Sequence, residues 1–335
     1  MFALRGIAVS LTFFVLLYCA LSALVAVAWR AFKVLHAPER SIAGLLFVLR
    51  ILPLAASVAI TFAFVVPSFQ LLEPRSSDID EGMGAIPLAM GICALLLIGW
   101  GCFRVIAAQA KTARLVTRWL EGAQPLDVVA NSQLDAETEV QMGVSFDAQR
   151  FAQGVAFRSK GEAPPLLLVG VGKPRVLVSE STVALLSHDE LRIALKHEFA
   201  HMKSRDNLKK LICRFCPFPG MAKLESAWSQ AAELAADDAA VSNLDDAVDL
   251  AAALVKLSRL LPIEAAPICA VGFVTGSISA RVARLLAWNE GSKVQPRQDR
   301  PWYLIPIALV SVSFLCVTYA PALALTHELT EWLVR

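Results

Sequence analysis

Four long apolar runs constrain this chain more than any other feature. They span Gly6 to Trp29, Ile51 to Leu72, Ile86 to Phe103 and Trp302 to Leu325. Each is long enough to cross a hydrocarbon core as a helix. They hold much of the 56% hydrophobic content of the 335 residues. The first run ends in Trp29-Arg30 with Lys33 following, a stop pattern rather than a small-x-small cleavage site, so it reads as an uncleaved span. Arg50 sits where the second run begins and is expected to snorkel to the interface.

Basic flanks set the expected orientation. Arg30, Lys33 and Arg40 lie in the first loop. Arg104, Lys111, Arg114 and Arg118 follow the third run, and Lys293, Arg297 and Arg300 precede the fourth. The other flanks carry only Arg5, Arg75 among four acids, and Arg335. Both termini are therefore expected outside, with the first loop and residues 104–300 in the cytoplasm. The chain divides into 1–110 (three spans), 111–300 (a cytoplasmic domain) and 301–335 (a fourth span and short external tail). The bilayer is its first partner. A net charge of +2 without a clustered basic face gives no support to direct nucleic-acid binding.

The domain opens with a basic helical stretch, 111–121, continuing the third span. Leu166-Leu167-Leu168-Val169 and Arg175-Val176-Leu177-Val178 flank a Gly/Pro turn and predict a β-hairpin, whose edge could receive an extended peptide. Ser187 with Glu190 three residues on is a capping box, so a helix begins there and runs past His201. Cys213-x-x-Cys216 lacks a second pair and reads as packing. Lys209 and Lys210 precede an apolar stretch, Leu211 to Met221, read as an interfacial dip or a buried loop. Arg281 and Arg284 read as interfacial anchors.

His197-Glu198-Phe199-Ala200-His201 lies on that capped helix. Residues four apart share a face, so the two imidazoles can serve one metal ion, Zn2+ by donor type, with Glu198 as general base. Composition alone would produce this pattern roughly 0.004 times in such a chain. Catalytic zinc usually takes a third protein ligand. His36, His188 and His327 are badly placed for it, which leaves a carboxylate, Glu233 or Glu225, on an Ala-rich helix at 224–241. Asp237, four residues after Glu233, is placed to accept from a ligand histidine. Asp206, five residues past His201, faces partly away on a continuous helix and reads as structural.

The segment from His197 to Asn207, Glu233-Leu234-Ala235-Ala236-Asp237-Asp238-Ala239-Ala240, the hairpin and the Leu186-to-Leu191 lead-in resemble the BlaR/MecR-type antirepressor membrane metallopeptidases. The resemblance implies zinc on His197, His201 and Glu233, catalysis by Glu198 and support from Asp237. It implies a membrane protein with four transmembrane helices and a cytoplasmic α+β zincin-type domain, in a bacterial cytoplasmic (inner) membrane. The implied activity is cleavage of a cytoplasmic protein, such as a repressor, in a signalling pathway. A large external penicillin-binding domain is expected after the last span in the sensing members. About ten residues follow Leu325 here, so a signal is expected through the spans, a sensor partner, a homo-oligomer or the membrane. Two alternatives stand beside this: an HtpX-type quality-control protease, and an idle receptor or scaffold with a structural zinc.

Overall fold

A computed structural model describes residues 2–29, 38–73, 84–126, 156–159, 164–260, 271–272, 278–288 and 318–332. Three of its helices are long and apolar enough to cross a membrane. α1 spans Phe2–Ala28. α2 (Glu39–Ile60) continues through a π-helical turn, Thr61–Val65, into α3 (Val66–Leu72). α4 spans Ala85–Leu120. The second span therefore begins at Glu39, twelve residues before the apolar run that suggested it. Polarity marks where lipid begins, but an α-helix satisfies its own backbone on either side of that line. The third span continues unbroken through 111–120, as the basic stretch predicted. Most of the fourth apolar run, 301–317, lies outside the described residues, and 318–332 is helical.

Lipid replaces water around such helices, so their outward faces are apolar: Leu24, Val27, Phe62, Leu96, Trp100 and Phe103 are all exposed. Small and weakly polar residues fill the contacts between helices. Thr12 donates to Ala8 O (2.8 Å) and Pro87 O (3.1 Å), and Gly91 lies against Ala8. The π turn precedes Pro67, which has no N–H to offer the Ala63 carbonyl. The hydroxyl of Tyr319 donates to that carbonyl at 2.9 Å instead.

The remaining elements form a helical domain with a small mixed sheet. β1 (Gln124–Pro125), β2 (Ala156–Ser159), β3 (Leu166–Val169), β4 (Arg175–Ser179) and β5 (Val271–Gly272) stand in the order β1-β2-β4-β3-β5. β3 and β4 form the expected hairpin, pairing Leu166 with Val178 and Val169 with Arg175. Gly170 takes φ 88° at its turn, where a Cβ would meet Lys173 O at 2.8 Å. β2 runs parallel to β4, and the other pairs are antiparallel. β5 pairs with β3 at Leu167 and Leu168, so the hairpin edge imagined as open to a peptide is taken there.

The helices are α5 (Glu180–Leu185), α6 (His188–Ser204), α7 (Asp206–Phe215), α8 (Ala222–Ala240), α9 (Leu244–Ser258) and α10 (Ile278–Leu286). The core lies between the sheet, α6 and α9, with Leu168, Val176, Ile193, Leu250 and Leu254 fully buried.

The domain is seated on the apolar helices through α7 and α8. Met221, Leu224 and Trp228 of α8 and its lead-in pack with Val25 and Trp29 of the first span and Leu46 of α2. The α7–α8 turn reaches further in. Tyr18 of α1 donates to Pro217 O at 3.1 Å and meets the Phe218 ring edge-on, and a Cβ at Gly101 of α4 would collide with Phe215 O. The apolar stretch after Lys210 thus packs among the spans. Arg50 differs from its expected role. It is 3% exposed, donates to Glu225 Oε1 (2.8 Å) and to the carbonyls of Cys213 (3.0 Å) and Cys216, and so does not snorkel. Those carbonyls end α7, where the helix dipole favours a cation.

Candidate metal centre

Helix α6 starts on the expected capping box. Ser187 Oγ accepts from the Glu190 amide (3.2 Å), and Glu190 Oε2 accepts from the Ser187 amide (2.8 Å). From that start His197, Glu198 and His201 fall on the inward face, all at 0% exposure. α8 crosses α6 and turns Glu233 and Asp237 toward them, both nearly fully buried.

The structure brings His197, His201 and Glu233 together. Their nearest ligand-type atoms all lie within 4.8 Å of one another. His197 Nε2 and His201 Nε2 are 3.1 Å apart, and Glu233 oxygens lie 3.5 Å and 3.7 Å from them. Glu225, the other carboxylate left open by the sequence pattern, is engaged with Arg50.

The far side of each imidazole carries its own carboxylate. Asp237 Oδ1 is 2.9 Å from His197 Nδ1, and Asp206 Oδ2 is 2.8 Å from His201 Nδ1. Asp206 therefore does not face away. A continuous helix would turn it aside, but Arg205 takes a left-handed φ of 54°, which ends α6 and folds Asp206 back. Arg281 is a second correction. It is buried, donates Nε and Nη2 to Asp237 (2.8 and 2.6 Å) and Nη1 to Glu233 (3.0 Å), and is no interfacial anchor. Arg284, on the same helix, instead pairs with Asp238 at 2.7 Å. The sequence offered no signal for Arg281, which acts across 44 residues with no motif.

The electrostatics follow from this packing. Burial pushes the Glu198 carboxyl up to about 7, although both imidazoles and the Leu168 backbone amide favour its charged form. Neither Glu198 oxygen has a hydrogen-bond partner of good geometry among the described residues. Burial alone would lower His201, but Asp206 and Glu233 reverse this and raise it to about 10. Glu233 is held well below the usual carboxylate range: burial opposes its charge, and the two imidazoles outweigh that. Asp237 is lowered as well, against burial, by His197 and Arg281. Burial lowers Lys210, against the pull of Glu233, Asp206 and Glu198.

These residues suit a divalent cation such as zinc. In the tautomers that carry the proton on Nδ1, beside Asp206 and Asp237, both Nε2 lone pairs face one another across 3.1 Å. That is repulsive unless a proton or a metal lies between. A carboxylate on the same space, and carboxylates behind both histidines, complete the usual environment of zinc-binding histidines.

The family model described as Peptidase family M48 matches residues 168–224. The stretch runs from the end of β3 through β4, the HExxH helix and α7, and stops before Glu233. No curated protein matches the chain. The match and the His-His-Glu cluster together imply a metallopeptidase, and three of the described helices are long and apolar enough to cross a membrane. Within that class, the chain is similar to the M48 peptidases over this segment.

Proposed function

We propose that this chain is a membrane-embedded zinc endopeptidase of the BlaR/MecR-type, which cleaves a cytoplasmic regulator such as a repressor. His197, His201 and Glu233 would hold the ion, and Glu198 would act as the general base. The observation that carries this reading is the pair of opposed Nε2 atoms, each backed by a carboxylate, with Glu233 closing the third side. When bound, zinc supplies Lewis acidity toward a peptide carbonyl and acidifies water.

The protein residues do the rest. Asp237 and Asp206 hold the two rings in one tautomer. Arg281 fixes Asp237 through two hydrogen bonds and reaches one oxygen of Glu233. Glu198 sits near neutrality, poised to take a proton from water and return it to the leaving amine.

A second reading, an HtpX-type protease of misfolded membrane proteins, draws on the α7–α8 turn inserted among the apolar helices. One experiment separates the readings. Cells expressing wild type or Glu198→Gln are compared by proteomics, alongside metal content and peptide turnover of the purified chains. The substitution should keep the metal and lower turnover by on the order of 10²–10⁴-fold. One intact cytoplasmic regulator accumulating supports the first reading, and many membrane proteins support the second. An unchanged proteome would leave the idle scaffold with a structural zinc.

A further inference from the structure

The left-handed Arg205 sets two consecutive side chains at the start of α7. Asp206 turns to His201, and Asn207 turns to the sheet. Asn207 is 3% exposed, and its Nδ2 donates to Leu168 O and to Gly170 O, each at 3.1 Å. Both acceptors are carbonyls, so the amide nitrogen must face them. Its Oδ1 is left buried with no hydrogen-bond partner among the described residues. A buried acceptor without a donor costs stability, so bracing the fold alone explains this residue poorly.

The pairing of β3 shows what the amide holds. Pro165 O accepts from the Ser179 amide at 2.9 Å, which makes Leu167–Leu177 and Val169–Arg175 the hydrogen-bonded pairs of the hairpin. Leu168 lies between them and turns its own amide and carbonyl away from β4. The carbonyl meets Asn207, and the amide is the backbone group that faces the Glu198 carboxylate. One peptide edge thus joins the start of α7 to the general base.

We propose that Asn207 is a positioning residue for proteolysis: by holding the Leu168 and Gly170 carbonyls it fixes the β3 edge against α6, and so sets where the Leu168 amide stands relative to Glu198. This rests on the endopeptidase reading. A displacement of about 1 Å near a reacting group can cost on the order of 10²-fold in rate. Two residues of one kink then serve different parts of the centre. Asp206 orients a metal ligand, and Asn207 orients the backbone beside the base. The two effects are separable, because Asp206 stays between His201 and Lys209 whichever residue stands at 207.

The test uses the full chain in detergent micelles, loaded with zinc, with labelled casein as substrate. Asn207→Leu keeps the size of the side chain and removes the donor. Turnover (kcat) per bound zinc should fall by about tenfold or more, while KM and zinc affinity, read by competition with a chelating dye, stay within about twofold. Thr182→Val is the control. Thr182 Oγ1 donates to Pro165 O at 2.8 Å, at the other end of the same strand. Its loss should lower the unfolding midpoint and leave kcat unchanged. Asn207→Ser, smaller and still a donor, serves if the leucine variant does not fold, and should also lower kcat. Amide exchange in the metal-free chains gives a readout apart from turnover: Leu168 should exchange faster in Asn207→Leu and not in Thr182→Val. An active wild type matched by an equally active, folded Asn207→Leu overturns the proposal. So does a kcat that falls only in step with zinc affinity or with stability. A wild type that binds zinc and cleaves nothing overturns the endopeptidase reading, and the proposal with it.

Discussion

The α6–α8 pair and the α1–α2–α4 trio are assembled by opposite rules. The trio turns Leu, Phe and Trp outward and buries Ala8, Thr12, Ser57, Gly91 and Ala94 between its helices. The pair buries His197, Glu198, His201, Glu233 and Asp237, with Arg281 and Asp206 brought in from α10 and α7. In lipid there is no gain from hiding apolar surface, so close backbone approach decides the contacts. In the water-facing domain, burying charge costs more than pairing usually returns. Apolar side chains of similar volume often replace such buried ion pairs with no loss of stability. The network is therefore best understood as a socket for a cation, kept at the expense of stability.

The sharpest way to break that contrast is to remove a carboxylate behind a histidine. Asp206→Asn or Asp237→Asn should weaken zinc binding by about 10–100-fold, measured by competition with a chelating dye, while the fold persists. An unchanged affinity would make the buried acids structural, and the contrast would collapse. The pH dependence carries the same information. His201 is held up to about 10 in the metal-free protein. Zinc must displace that proton, so affinity should rise with pH from 7 to about 10, by about tenfold per unit if one proton is released. In Asp206→Asn the raising partner is gone. The proton leaves at lower pH, and the rise should flatten earlier.

The sequence made the local parts of this contrast legible and hid the distant ones. The capping box, the hairpin and the HExxH face each depend on residues a few positions apart, where helix and turn geometry is fixed. Glu233 was one of two open carboxylates until the resemblance favoured it. Asp206 was misread because nothing in Ser204-Arg205-Asp206 announces a left-handed residue without glycine. Arg50 and Arg281 act across 175 and 44 residues, and a lone arginine carries no record of its partner. Both looked like interface residues because composition reports only the neighbours in the chain.

Arg50 is the place where the two rules meet, since it is a buried charge on an apolar helix. Arg50→Met should cost about 2 kcal/mol, the loss of charge-assisted hydrogen bonds to the α7 carbonyls. The Glu225 end adds little, because its side chain is 41% exposed and can turn to solvent. Denaturant unfolding in detergent checks the figure. Proteolysis of the α7–α8 turn should accelerate in step if Arg50 is what seats that turn. Metal affinity that fell as well would mean that α8 carries strain from the membrane helices to Glu233.

The smallest effect tests whether α6 owes anything to the membrane. Ser187→Ala removes the hydroxyl that accepts from the Glu190 amide, and should cost about 1 kcal/mol. The reciprocal bond from the Ser187 amide to Glu190 Oε2 can survive, and Lys256 Nζ holds the same oxygen at 2.7 Å. The loss should therefore appear as faster amide exchange over the first turn of α6. His197 lies nearly three turns further along, held by Asp237, so zinc affinity should not move. If affinity dropped with the cap, the histidines would be positioned by the start of their own helix. The crossing of α8 would then be secondary, and the socket would belong to α6 alone.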